Sequence, residues 1–79
     1  MIDVLFFGKM ADIVGVRNQR IDRAEGLFAL RDGLFAAALD AGRVTAADIR
    51  MSVNRQVVTG DMALTDGDEV AFFSVFSGG

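Results

Sequence analysis

The sequence contains neither cysteine nor histidine. Without cysteine, disulfides and thiolate metal sites are excluded. Without histidine, the commonest general base and the commonest metal ligand are both missing, and no Ser–His–acid triad can be assembled. Proline, tyrosine and tryptophan are also absent, and Lys9 is the single lysine. The net charge is −3 and the arginines are scattered, so there is no basic stripe to neutralise phosphates. Nucleic acid is therefore not an expected partner. No apolar run approaches the length of a membrane span, and the N-terminus lacks a charged region followed by an apolar stretch. The expected compartment is the cytoplasm, with no membrane partner.

Apolar side chain is plentiful. Hydrophobic residues make up 52% of the 79, and seven of them are Phe. That is enough for a core in one domain, near the lower size limit for a fold without staples. No repeat, linker or low-complexity segment divides the chain. The expected domain runs over residues 1–76, followed by a flexible tail over residues 77–79.

Alternation predicts a first strand over Met1–Phe7, with Ile2, Val4 and Phe6 on one face and Asp3, Leu5 and Phe7 on the other. Met10–Val14 reads as a helical turn at best, stopped by Gly15. Arg17–Asp22 reads as a second strand, hairpinned with the first. The main helix is expected over Leu27–Ala41, where Leu27, Leu30, Leu34 and Ala38 recur at spacings of three and four, and Phe35 and Leu39 widen the stripe. Gly33 weakens its middle by about 1 kcal/mol relative to Ala, and Gly42 is its expected C-terminal cap. Val44–Arg50 reads as a connector with a helical turn at Ala46-Ala47-Asp48. Met51–Val53 and Gln56–Val58 are short strands about a tight Asn54-Arg55 turn. Asp66-Gly67-Asp68 is a further turn, and Glu69 to about Val75 is the last strand.

The resulting order is strand, strand, helix, strand, strand, strand. One helix must cover one face of one sheet. The first and last strands are the most apolar and are expected side by side at the centre, parallel, joined by a right-handed crossover. This is an α+β fold of the β-grasp, or ubiquitin-like, type: a mixed sheet of about five strands with one main helix on one face.

The body of the chain spells out no catalytic set. Asp66, Asp68 and Glu69 bring carboxylates together, but in a turn, where Asp is selected for its backbone hydrogen bonds. Asn54-Arg55 reads as a hairpin turn before it reads as an anion site. No metal site and no bound cofactor are expected.

The end of the chain differs. Two terminal glycines arise by chance in roughly one chain in 200. Here an apolar strand leads into Phe76-Ser77-Gly78-Gly79 with no polar extension. Glycines lack Cβ and fit a narrow channel. A terminal carboxylate is ionised at neutral pH and is a poor electrophile, so another enzyme must activate it, as an acyl phosphate or adenylate, before it accepts sulfur or passes to an amine. The bland alternative is a frayed terminus.

A docking surface follows from the strand alternation. If Ile2, Val4 and Phe6 face the helix, Leu5 and Phe7 face away. Val70 and Phe72 facing in leave Ala71 and Phe73 facing out. Leu5, Phe7, Ala71 and Phe73 then share an uncovered sheet face, which points to a partner or to a second copy of the chain. Phe76 is a further aromatic anchor just before the tail.

Val4-Leu5-Phe6-Phe7, Met10-Ala11-Asp12-Ile13-Val14-Gly15, Asn54 with Val57, Leu64-Thr65-Asp66-Gly67-Asp68-Glu69-Val70-Ala71-Phe72-Phe73 and the Ser77-Gly78-Gly79 ending together resemble the molybdopterin synthase small-subunit family. The resemblance implies a β-grasp sulfur carrier. It implies that Gly79 becomes an acyl-adenylate and then a thiocarboxylate, and that Gly78 and Ser77 thread a channel. The implied partners are an adenylating enzyme resembling the ubiquitin-activating type and the large synthase subunit, with a heterotetramer expected. The implied acceptor is cyclic pyranopterin monophosphate, in molybdenum cofactor biosynthesis, with catalysis in the large subunit and the small one a non-catalytic carrier. One departure stands out: Ser74-Val75-Phe76 occupies the place where the family commonly has two prolines. The alternatives are a ubiquitin-like modifier joined through Gly79 to lysines, a sulfur carrier for thiamine or cysteine synthesis, and a passive binding module with an idle tail. The long apolar lead-in speaks against the thiamine type.

Overall fold

The structure is a computed structural model, and it describes residues 1–74. Five strands form one sheet: β1 (Ile2–Phe6), β2 (Asn18–Ile21), β3 (Ile49–Val53), β4 (Gln56–Val58) and β5 (Glu69–Ser74). Their spatial order is β2-β1-β5-β3-β4. β1 and β5 are central and parallel, with Val4 beside Val70 and Phe6 beside Phe72. All other pairs are antiparallel. The β-grasp architecture read from the sequence is the one observed.

Three α-helices accompany the sheet among the described residues, α1 (Lys9–Val14), α2 (Leu27–Leu34) and α3 (Ala36–Asp40), and the expected helical turn at Ala46–Asp48 forms as a 3-10 turn. Lys9–Val14 is thus a helix of six residues and not merely a turn. So short a helix has little stability of its own; Met10, fully buried, anchors it to the core. The single long helix expected over 27–41 is interrupted at Phe35, whose backbone (φ −104°, ψ 13°) leaves the helical region. Gly33, just before the break, contributes the weakness expected of glycine in a helix. The interruption turns Phe35 fully into the core, where its ring meets Phe6 at 5.9 Å and Phe72 at 5.4 Å, edge to face in both cases. Phe6 and Phe72 stack on each other at 5.8 Å across the β1–β5 ladder.

The end of α3 has a Schellman pattern: the Arg43 amide donates to the Ala38 carbonyl and the Gly42 amide to the Leu39 carbonyl. Gly42, at φ +73°, takes the left-handed position that the pattern requires. The start of α2 is capped from a distance. The Asp61 carboxylate accepts from the Phe28 amide at 2.9 Å, and the Met62 carbonyl accepts from the Leu27 amide. The loop before β5 is thereby fastened to the helix layer.

The core lies between that layer and one face of the sheet. Ile2, Val4, Phe6, Ile49, Met51, Val53, Val70 and Phe72 from the strands meet Leu27, Leu30, Phe35, Ala38 and Val44. Among the described residues no polar side chain is buried, and no helix is long and apolar enough to cross a membrane. Asn54 (φ 51°) and Arg55 (φ 70°) both take positive φ, the signature of the tight turn expected between β3 and β4.

Candidate functional site: the open sheet face and the tail exit

Among the described residues no helix covers the other face of the sheet, and its residues follow from the registers. One row runs across all five strands: Asn18, Leu5, Ala71, Ser52, Val57. Nearer the C-terminal end of β5, Phe73 lies opposite Arg50. Phe7 is held beside β5 by its amide, which donates to the Phe72 carbonyl at 3.0 Å. Towards the opposite end, Arg20, Asp3 and Glu69 sit side by side. Asp3 and Glu69 are like charges in direct register, and each is offset by an arginine. Arg20 Nε donates to Asp3 at 2.9 Å, and Arg55 lies 3.7 Å from Glu69. The face is therefore graded, with paired charges at one end and apolar side chains at the other.

Leu5, Phe7, Ala71 and Phe73 lie on this face together, as the alternation predicts. Their exposure differs. Phe7 is 52% exposed, Leu5 and Phe73 are half-buried, and Ala71 at 8% offers little surface. The sequence reading missed two further apolar residues. Val57, 66% exposed, ends the five-strand row. Val16, 45% exposed, comes level with Phe7 when the β1–β2 register is continued two residues beyond Leu5 and Asn18. Alternation within Gln56-Val57-Val58 was the available signal for Val57. Val16 precedes its strand and gave none. An open groove of about 530 Å³ extends the face around the end of β1, between Phe7, Ala11, Asp12 and Arg17.

Because β1 and β5 are parallel, Phe7 and Ser74 emerge at the same end of the sheet. The chain leaves β5 there, directly beside the apolar end of the open face. Ser74 is still paired with Ile49. A proline at this position would have no amide for the ladder, so serine in its place is compatible with a strand that runs to the end of β3. Phe76, Ser77, Gly78 and Gly79 lie outside the described residues.

The acidic turn has a structural account. The Asp68 carboxylate accepts from the Thr65 amide at 2.9 Å and from the Asn54 side-chain amide at 3.0 Å. The Thr65 amide first, and Asn54 next, hold its pKa below the usual aspartate value. Asn54 closes the network by accepting from the Glu69 amide at 3.0 Å. Asp66 pairs with the Met1 ammonium, and Gly67, at φ +92°, donates its amide to the Met1 carbonyl. Each of these carboxylates is engaged in holding a turn, so none is set up as an acid or base. Among the described residues no cluster of acidic, His or Cys side chains is arranged to hold a metal ion.

A graded, uncovered sheet face thus lies beside the end of β5, and known proteins share with this chain the fold that builds it. Over the full length of both chains it is 38% identical to the molybdopterin synthase sulfur carrier subunit of Escherichia coli (strain K12). It superposes on crystalline SAMP1 from Haloferax volcanii with a TM-score of 0.70 and 25% identity, covering 99% of this chain and 98% of that one. It superposes on a chain of the complex of subunits 1 and 2 of molybdopterin-converting factor from Helicobacter pylori 26695 with a TM-score of 0.68 and 24% identity, covering 99% and 97%. The ThiS family model matches residues 4–79, from the first strand through the two terminal glycines, and with that span the chain belongs to the ThiS family.

Proposed function

We propose that this chain is the sulfur carrier of a molybdopterin synthase. Gly79 is its reacting residue. An adenylating enzyme joins the terminal carboxylate to AMP, with release of pyrophosphate from ATP. A sulfur donor then displaces AMP to leave a thiocarboxylate. The loaded end enters the large synthase subunit and gives its sulfur to cyclic pyranopterin monophosphate. Gly78 and Ser77 thread the channel, while Leu5, Phe7, Phe73 and Phe76 make the docking contact, with Val57 and Val16 at its margins. Ala71 closes the middle of that patch and contributes little area. The assembly is a heterotetramer of two carriers and two large subunits, working in the cytoplasm.

The observation that carries this reading is the 38% identity to a molybdopterin synthase sulfur carrier subunit over the whole of both chains. The position of the open face supports it, since β5 ends at the same end of the sheet as Phe7, the most exposed aromatic described on that face. In this reading the fold supplies the surface and the terminal glycine supplies the chemistry.

The test is the intact mass of the protein isolated from its native cell, with single-turnover transfer using purified partners. A terminal oxygen exchanged for sulfur, and conversion of the pterin, are expected. One residue added after Gly79 should abolish transfer and leave the melting temperature unchanged. Full activity from the extended chain overturns the reading. A second reading, a protein modifier joined to lysines through Gly79, is favoured by the likeness to SAMP1, a small archaeal modifier protein. Higher-mass species with an isopeptide remnant, and no thiocarboxylate, would select it.

A further inference from the structure

The open face carries an arginine, Arg50, that no ion pair among the described residues includes. We propose that Arg50 pairs with an acidic side chain of the large synthase subunit and so helps determine which partner the face accepts. This rests on the function proposed above.

Four arginines border the face or the groove beside it; Arg17, whose carbonyl accepts from the Phe6 amide, stands in register with the covered side of β1. Arg20 is satisfied by Asp3, and Arg55 lies against Glu69. Both belong to the charged end, far from the tail exit. Arg50 is placed differently. It is exposed, the second residue of β3, directly opposite Phe73 at the apolar end. Among the described residues no ion pair includes it, and the one cation–π contact is made by Arg31 over Phe28. It is the only charge in the two rows that also hold Phe7, Phe73, Leu5, Ala71 and Val57.

A partner that covers Phe7 and Phe73 removes water from the neighbouring register position. A guanidinium stays protonated at any working pH, so it cannot escape desolvation by losing its charge. Buried alone it opposes association; met by a carboxylate it makes two parallel hydrogen bonds of defined direction. A surface offering a neutral or basic residue there is rejected. The rest of the apolar end is sequence-tolerant contact area. Arg50 is the charged group within those two rows, and it distinguishes partners by charge.

The experiment is a titration of the cognate large subunit with the full-length chain and with Arg50→Met, Arg50→Gln, Arg50→Lys and Phe7→Asp, at low and high salt, beside thermal melts. Removing one partner of a desolvated charge pair weakens binding by about 30-fold or more. Arg50→Met and Arg50→Gln should both show that loss, together with a flatter salt dependence than the unaltered chain. Arg50→Lys should recover part of it. If Arg50→Met lowers the melting temperature, Arg50→Gln decides. Affinity that is unchanged or tighter in both neutral variants, while Phe7→Asp weakens binding, overturns the role of Arg50 alone. No binding by the unaltered chain overturns the proposed function, and this proposal with it.

Discussion

The two faces of the sheet come from the same strands and do opposite work. On the helix side, every strand residue of β1, β3 and β5 that enters the core is 5% exposed or less, and the Phe6, Phe35 and Phe72 rings close on one another. On the open side, the neighbouring residues Leu5, Phe7 and Phe73 keep solvent contact, and charged pairs occupy one end. A shift of one residue in register would exchange these roles entirely. The contrast separates stability from the docking proposed above: the covered face holds the fold together, and the open face leaves apolar area exposed.

The largest effect should come from the covered face. Phe72→Ala removes a ring that is fully buried and contacts two other rings. Such truncations cost about 3–5 kcal/mol, a large fraction of the 5–15 kcal/mol that holds a domain together. For a domain of this size, a loss of that order lowers the melting temperature by about 15 °C or more. A calorimetric melt checks it. A shift of only a few degrees would mean that the ring cluster is not the centre of the core.

The open face should give the reverse. Phe7→Asp exchanges a half-exposed ring for a charge at a position where no helix packs. The expected stability change is under about 1 kcal/mol. Affinity for the large subunit should fall by the 2 kcal/mol or more typical of an aromatic anchor, about 30-fold. Phe73→Asp should lower affinity as much and stability somewhat more, because Phe73 is already half-buried. If either variant unfolds before binding is lost, the separation between the faces fails.

The covered face was the more legible of the two in the sequence. Ile2, Val4 and Phe6 alternate cleanly, Val70 and Phe72 repeat the pattern, and β-grasp topology follows from one helix and five strands. Turn chemistry also reads locally, as Asn54-Arg55 shows. What escaped depends on partners distant in the chain. β3 begins at Ile49, two residues earlier than alternation suggests, because Ile49 and Arg50 are held by pairing with Ser74 and Phe73. Reading Ile49-Arg50 as connector hid an arginine of the open face that no ion pair among the described residues includes. The break at Phe35 is likewise tertiary: burial against Phe6 and Phe72 outweighs continuity of the helix. Val57 and Val16 sit at the edges of the face, where exposure depends on what the neighbouring strands leave uncovered.

The smallest effect sharpens the comparison at the charged end, where side-chain hydrogen bonds hold the turn. The folded state holds the Asp68 pKa below its ordinary value, through the Thr65 amide and then the Asn54 side chain. A carboxyl with a depressed folded pKa contributes stability that is present in full above its unfolded pKa. That contribution is lost as the pH falls through the lowered folded value. The chain should therefore lose a small increment of stability on acidification, beginning in the ordinary aspartate range. Asp68→Asn should remove this increment. Its one carbonyl oxygen cannot accept from both Thr65 and Asn54 in the way the two carboxylate oxygens do. The variant should be slightly less stable at neutral pH, and its melting temperature should vary less with pH at the acid end. Melting temperatures of both proteins across an acid titration, at fixed salt, measure the difference. Parallel curves for the two would mean that the hydrogen bonds of Asp68 survive in the unfolded chain or contribute nothing. Partner affinity at neutral pH should be the same for both, since the network lies at the opposite end of the face from Phe7 and Phe73.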